Sequence, residues 1–172
     1  FGLTTIKNFG EGIGATIVEE RKKNGEFKSL SDFLRRIKDK NLNKKSLEAL
    51  IKTGAMDAFG ERSTLLHNLE KLLTFNKEQR EQAKDQTSLF GTGDTGIKET
   101  DIELEKTKET SKADKLMWEK ELLGLYVSGH PLDSYKHKLE NREVDIKKLK
   151  ETAKEKQPVV FGGIIEEIKS VL

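Results

Sequence analysis

The sequence has no cysteine. Disulfide bridges and thiolate metal sites are therefore excluded, and the absence fits a reducing, cytoplasmic setting. Long apolar runs are missing too: the uninterrupted stretches are a handful of residues, against the roughly 20 that cross a bilayer. No membrane partner is expected, and no signal peptide is visible after Phe1-Gly2-Leu3. Nor is there a large excess of one charge. Charged residues make up 36% of the 172 positions and hydrophobic ones 34%, yet the formal net charge is +2. The distribution says more than the total. Residues 1–75 hold fourteen Lys and Arg against ten Asp and Glu, whereas residues 76–172 hold eighteen against twenty. The front segment is the basic one.

A catalytic centre is also missing. His67, His130 and His137 are scattered without ligand spacing. His130, just before Pro131, reads as a turn histidine rather than a general base. Asp101, Glu103 and Glu105 would line one side of an extended segment, as a two-metal site requires. They stand in the most polar stretch with no flanking core, which reads as solvated linker. No catalytic residue and no metal ligand is assigned.

What the sequence does have is Ile6-Lys7-Asn8-Phe9-Gly10-Glu11-Gly12-Ile13-Gly14, with three glycines in five residues ahead of a helix whose Ile13, Ile17 and Val18 share one face. Glycines so placed let the backbone turn tightly and approach a ligand. The helix behind them begins with unpaired N–H groups and a positive dipole end, a ready phosphate site. Lys7 in front and Arg21, Lys22 and Lys23 behind add positive charge. Gly10-x-Gly12-x-x-Ala15 matches a dinucleotide-binding fingerprint, but that motif needs a strand before it and a βαβ unit after it, and short helices follow here. A helix-hairpin-helix fits better. It requires a glycine, a small residue four later, an apolar one seven later and a basic one eleven later, and Gly10, Gly14, Ile17 and Arg21 supply them. Asn8 stands where the hairpin's first glycine is usual, and Asn adopts left-handed backbone angles readily. The plain alternative is a glycine-rich turn that only packs two helices.

Asn24-Gly25 ends the first helix. Ser29 or Ser31 caps a second, with Leu30, Phe33, Leu34 and Ile37 inward, and Asn43 caps a third, with Leu47, Leu50 and Ile51 inward. Lys52-Thr53-Gly54-Ala55-Met56-Asp57 is a second candidate hairpin, partnered by a helix from Ser63 through Leu73. Lys40, Lys44, Lys45 and Lys52 are expected to cluster near that second turn. Two hairpins within 1–75 suggest a duplicated unit able to hold both backbones of a duplex. Residues 76–112 read as a charged, mobile linker carrying an isolated Leu89-Phe90 pair, the kind of anchor that belongs in a partner's pocket. A helical connector, 113–157, follows, its first helix running to Ser128-Gly129-His130-Pro131. Residues 158–172 are β-type, with Gly162-Gly163 marking a bend. The missing initiator methionine and an unfinished strand at the close are expected of a piece of a larger protein.

The order of these features resembles one family, the alpha subunit of bacterial DNA polymerase III. Phe1-Gly2-Leu3 with Ile6-Lys7-x-Phe9-Gly10-Glu11-Gly12 resembles the start of its tandem helix-hairpin-helix domain. Asn43-Lys44-x-x-Leu47-Glu48-x-Leu50-Ile51-Lys52-x-Gly54-Ala55-x-Asp57 resembles the second half. Gln86-Thr87-Ser88-Leu89-Phe90 resembles its internal clamp-binding pentapeptide, and Glu119 through Leu132 the segment before its OB-fold, whose first strand would start at Val159.

The resemblance implies a mainly α architecture: a tandem helix-hairpin-helix domain, a linker, further helices and a truncated OB-fold strand. It implies sequence-independent binding of double-stranded DNA through Lys7, Asn8, Gly10, Gly12, Gly14, Arg21, Lys22, Lys45, Lys52 and Gly54. It implies a sliding clamp, the beta subunit, held by Gln86, Thr87, Ser88, Leu89 and Phe90, with other holoenzyme subunits as further partners. The parent would be a DNA-directed DNA polymerase, a nucleotidyltransferase using Mg2+, with its palm carboxylates upstream; no cofactor is expected in this stretch. Rival readings are a helix-hairpin-helix module of a repair nuclease or helicase, and a helical scaffold for protein partners.

Overall fold

The computed structural model describes residues 2–89, 101–140, 146–152, 154, 158, 162–165 and 168–170. It forms two units, Phe1–Val127 and Ser128–Leu172. In the first, a 3-10 turn at Leu3–Thr5 leads through Asn8, at φ 65°, to helix α1, Glu11–Asn24. Asn8 thus takes the left-handed geometry that the hairpin asks of a glycine. Helix α1 buries Ile13, Gly14 and Ile17 and stops at Gly25, at φ 81°. Helix α2, Leu30–Arg36, is capped by Ser29, whose hydroxyl accepts the Asp32 amide at 3.1 Å. Helix α3, Lys44–Lys52, starts in a reciprocal capping box between Asn43 and Ser46.

The helix expected from Ser63 through Leu73 is instead two helices, α4, Arg62–His67, and α5, Leu69–Leu89. The break falls at Asn68. Its buried side chain bonds the backbone of Glu105 in both directions, donating to the carbonyl at 2.9 Å and accepting the amide at 3.1 Å. Helix α6, Lys112–Leu123, is capped by Ser111 and ends at left-handed Gly124, earlier than the expected stop at Ser128. Helix α5 packs against α2, α3 and α4, and α3 also meets α6. Leu34, Ile37, Leu47, Ile51, Leu65 and Leu72 are fully buried between them, each contributing roughly 1.5–3 kcal/mol of apolar burial. Asn76 is buried among them, donating to the carbonyls of Leu34 and Ile37 at 2.7 Å each. It satisfies carbonyl groups that the end of α2 would otherwise leave orphaned.

The stretch expected as a linker, 76–112, has described structure on both sides of the undescribed residues 90–100. Residues 76–89 continue α5. Residues 101–111 form an extended strap laid on the helices: the Ile102 amide donates to Ser31 at 3.0 Å, the Thr107 amide to Thr64 at 3.3 Å, and the Thr110 amide to Glu61 at 3.0 Å. Ile102 and Leu104 pack on the core. The strap is ordered because helix side chains satisfy its polar backbone, which its own sequence cannot do.

In the second unit, Pro131–Tyr135 form a 3-10 turn, followed by α7, Lys136–Glu140, and α8, Ile146–Thr152. His130 caps the turn. Its Nδ1 accepts the Leu132 amide at 3.2 Å and its own amide donates to Asp133 at 2.8 Å. The expected OB-fold strand does not appear among the described residues: 158, 162–165 and 168–170 are irregular, and Val159 to Phe161 lie outside them. A strand is defined by pairing, and no paired neighbour is described here. Among the described residues, no helix is long and apolar enough to cross a membrane.

Candidate nucleic-acid interface

The first hairpin is pinned from inside. Ile6 and Phe9 are buried on either side of the turn, and the Phe9 amide donates to the Ile6 carbonyl at 3.2 Å, leaving Lys7 and Asn8 exposed at the apex. The glycines differ in their work. A Cβ on Gly14 would lie 3.4 Å from Phe9 Cε1 and 3.7 Å from Leu3 Cβ, so the small residue lets the turn close on α1. A Cβ on Gly12 would enter open space. There the missing side chain leaves bare backbone facing outward. No side chain caps the start of α1 at Gly10, so its first amides are presented to a ligand together with the positive dipole end. Two hairpin amides are already spent: that of Phe9 on Ile6, and that of Lys7, which donates to the Leu122 carbonyl at 2.9 Å.

Arg21 and Lys22 are exposed in the last turn of α1, roughly 14 Å along the helix from Gly12. Arg21 borders a cavity of about 300 Å³ lined by Phe27, Phe33, Met56 and Phe59 rather than the hairpin. These two cations therefore do not converge with Lys7 and Gly12.

The second hairpin is closed from within. Gly54 sits at φ 81°, and a Cβ there would collide with the Arg62 guanidinium. The amides of Thr53, Gly54, Ala55 and Asp57 all donate to nearby carbonyls. Arg62 fills the turn: it is 4% exposed, donates twice to Asp57 at 2.9 Å, to the Lys52 carbonyl at 3.0 Å and to Glu119 at 3.1 Å. Burial works against its charge, but Asp57 and Glu119 outweigh that and raise its pKa. Glu119 is 0% exposed, and its second oxygen accepts the Val127 amide at 2.7 Å. Lys52 pairs with Glu48 at 2.6 Å and stands 5.6 Å from the Trp118 ring centroid. The turn is thus a packed joint between α3, α4 and α6.

The expected cluster of Lys40, Lys44, Lys45 and Lys52 at that turn is corrected. Lys44 and Lys45 begin α3 and Lys52 ends it, about 12 Å apart. Lys44 pairs with Glu70 at 2.6 Å, which raises its pKa. Lys40 belongs to the loop before α3, and that loop is held against α1: the Thr16 hydroxyl contacts Asp39 Oδ2 and the Gly12 carbonyl at 3.1 Å each. Sequence reasoning places Lys38 with Arg35 and Arg36 on the outer face of the second helix and gives it no site role, whereas it is exposed in the same loop. No motif marks it; only the Thr16–Asp39 contact does.

Gln86, Thr87, Ser88 and Leu89 lie in the last turn of α5, and Phe90 lies outside the described residues. Among the described residues no three His, Cys, Asp or Glu side chains gather as a metal cage. Asp101, Glu103 and Glu105 sit along the strap, where Glu105 Oε2 is 3.3 Å from His67 Nε2 and the Glu103 carbonyl accepts Lys71 at 2.6 Å.

Comparison with known proteins gives four concordant results. Residues 1–65 match the helix-hairpin-helix motif family. The DNA polymerase III subunit alpha of Thermus aquaticus is 41% identical over 98% of this chain, and that of Borreliella burgdorferi 39% over 99%. The subunit of Aquifex aeolicus is 39% identical over 96%. The chain spans only 14%, 15% and 13% of these relatives' lengths, respectively.

Proposed function

Because this chain belongs to the family of DNA polymerase III alpha subunits, we propose that it forms the part of such a subunit that grips duplex DNA and engages a sliding clamp. The observation that carries the DNA reading is the first hairpin: left-handed Asn8, uncapped Gly10 and a bare Gly12 backbone at a helix start, with exposed Lys7 beside them. Backbone amides and lysines of this kind recognise phosphate, not base edges, so binding is independent of sequence and weakens steeply with salt. Polymerisation, the Mg2+ it uses, the other holoenzyme subunits and a cytoplasmic location belong, on this reading, to the longer subunit.

The clamp reading rests on the resemblance of Gln86-Thr87-Ser88-Leu89-Phe90 to the family's pentapeptide. The last turn of α5 would have to unwind for an extended peptide to reach a pocket. Burying Leu89 and Phe90 contributes roughly 3–6 kcal/mol, and ordering takes back much of it, leaving an affinity on the order of micromolar for this segment alone.

Two paired titrations test the proposal. Changing Gly10 and Gly12 together to leucine should cut duplex affinity while the helical circular dichroism is retained; undiminished binding by that folded variant removes the hairpin from the mechanism. Changing Leu89 and Phe90 to alanine should abolish clamp binding and leave duplex binding alone. Persisting clamp binding would reduce the pentapeptide to the end of a helix.

A further inference from the structure

At the second hairpin the amides of Thr53, Gly54, Ala55 and Asp57 are spent on nearby carbonyls and its lysine is paired, so a two-point grip on DNA needs another second point. We propose that the loop entering α3, through Lys38 and Lys40, and the first turn of α3, through Lys45, supply it, forming one phosphate-binding face with the first hairpin. The inference rests on the duplex-binding reading above and adds to it Lys38 and Lys40, which neither hairpin motif contains.

Three observations carry it. The Thr16–Asp39 contact docks the loop on α1 one turn beyond Gly12, because the same Thr16 hydroxyl also bonds the Gly12 carbonyl. That places Lys38 and Lys40 within reach of the hairpin, on the order of 10 Å from Gly12 by chain geometry. Next, Lys7, Lys38, Lys40 and Lys45 are all exposed, and none has a carboxylate partner among the described residues, whereas Lys44 and Lys52 are both paired. Finally, the acids in this region do not cancel the lysines: Glu11 and Asp39 stand against four cations, and Asp39 is occupied by Thr16 and by the Asn41 amide at 2.8 Å. Asp39 acts here as a positioning residue, fixing where the loop lysines stand.

Lysines that contact phosphate release counterions, so each adds about 0.9 to the slope of log affinity against log salt. The test is duplex titration of the 172-residue chain across a salt series. It compares the parent, the triple variant K38Q/K40Q/K45Q, and an equal-charge control, K77Q/K106Q/K108Q, altered at exposed lysines elsewhere. The loop variant should lose about 2.7 from the slope. Between 50 and 200 mM salt the parent would then lose about 40-fold more affinity than the loop variant, while the control follows the parent. Asp39→Ala should weaken binding although it removes a negative charge, an outcome that a purely electrostatic surface would reverse. Equal slopes for the two triple variants, or tighter binding by Asp39→Ala, overturn the loop proposal while the hairpin reading stands if the Gly10 and Gly12 variant still fails. A parent chain that does not bind duplex at all brings down the duplex reading itself.

Discussion

Arg62→Ala should be the most damaging single change at a charged residue of the first unit, because of what it leaves behind. The guanidinium makes four hydrogen bonds, to Asp57 twice, to the Lys52 carbonyl and to Glu119, from a position 4% exposed. Asp57 is half exposed and can turn to water. Glu119, at 0% exposure, cannot, and would be a buried carboxylate stripped of its guanidinium partner. Losing one partner of a buried pair costs about 3–5 kcal/mol. For a unit of this size that lowers the melting temperature by roughly 10–20 °C. Urea melts followed by Trp118 fluorescence, beside Glu119 on α6, report it directly. The double variant Arg62→Met with Glu119→Leu removes both charges and should recover most of the loss, since apolar replacement of a buried pair is often neutral. A double variant as unstable as the single one would refute the reasoning: the penalty would then lie in lost shape, not in the stranded carboxylate.

Gly54→Ala should cost stability for a related reason, since its Cβ meets the same guanidinium at a φ of 81°, and a thermal melt measures it. Asn8→Gly should be near neutral, whereas Asn8→Val should cost about 1–2 kcal/mol for a branched residue held left-handed, read from urea midpoints. Asn68→Ala should free the strap and open residues 101–111 to protease, while unchanged protection would mean that Ile102 and Leu104 hold it alone. Burial would raise the Glu61 carboxyl, but Ser63, the Thr110 amide and Lys115 outweigh it and bring its pKa far below the ordinary 4.5. Its contribution is therefore complete above about 4.5 and lost as pH falls below that value. The protection factor of the Thr110 amide against hydrogen exchange should fall in that acid window, and Glu61→Gln should flatten the dependence.

The caps and the first hairpin were legible in the sequence because their determinants are local. Ser29 and Asn43 bond amides three residues away, and the spacing of Gly10, Gly14 and Ile17 already encodes one helix face. The strap was not legible, because what orders it is distant: Ser31 lies 71 residues from Ile102, and Asn68 lies 37 from Glu105. The one available signal was the alternation of Ile102 and Leu104 between acids, which suits a half-buried extended segment as well as a linker. Arg62 was unreadable for the same reason, since an arginine at a helix start gives no sign that Glu119, 57 positions on, will bury with it. Likewise the position of Lys40 was assigned by its neighbours in sequence, when a threonine on α1 decides it.

Asn76, fixed between two carbonyls at the end of α2, also turns the rest of α5 into a measuring rod. From that anchor to Leu89 the helix runs thirteen residues, about 20 Å at 1.5 Å each. The span between the core and the end of the rod is thus set by the number of helical residues. Deleting seven of them would shorten it by roughly 10 Å with its face nearly kept, whereas inserting two would turn its tip by more than half a revolution.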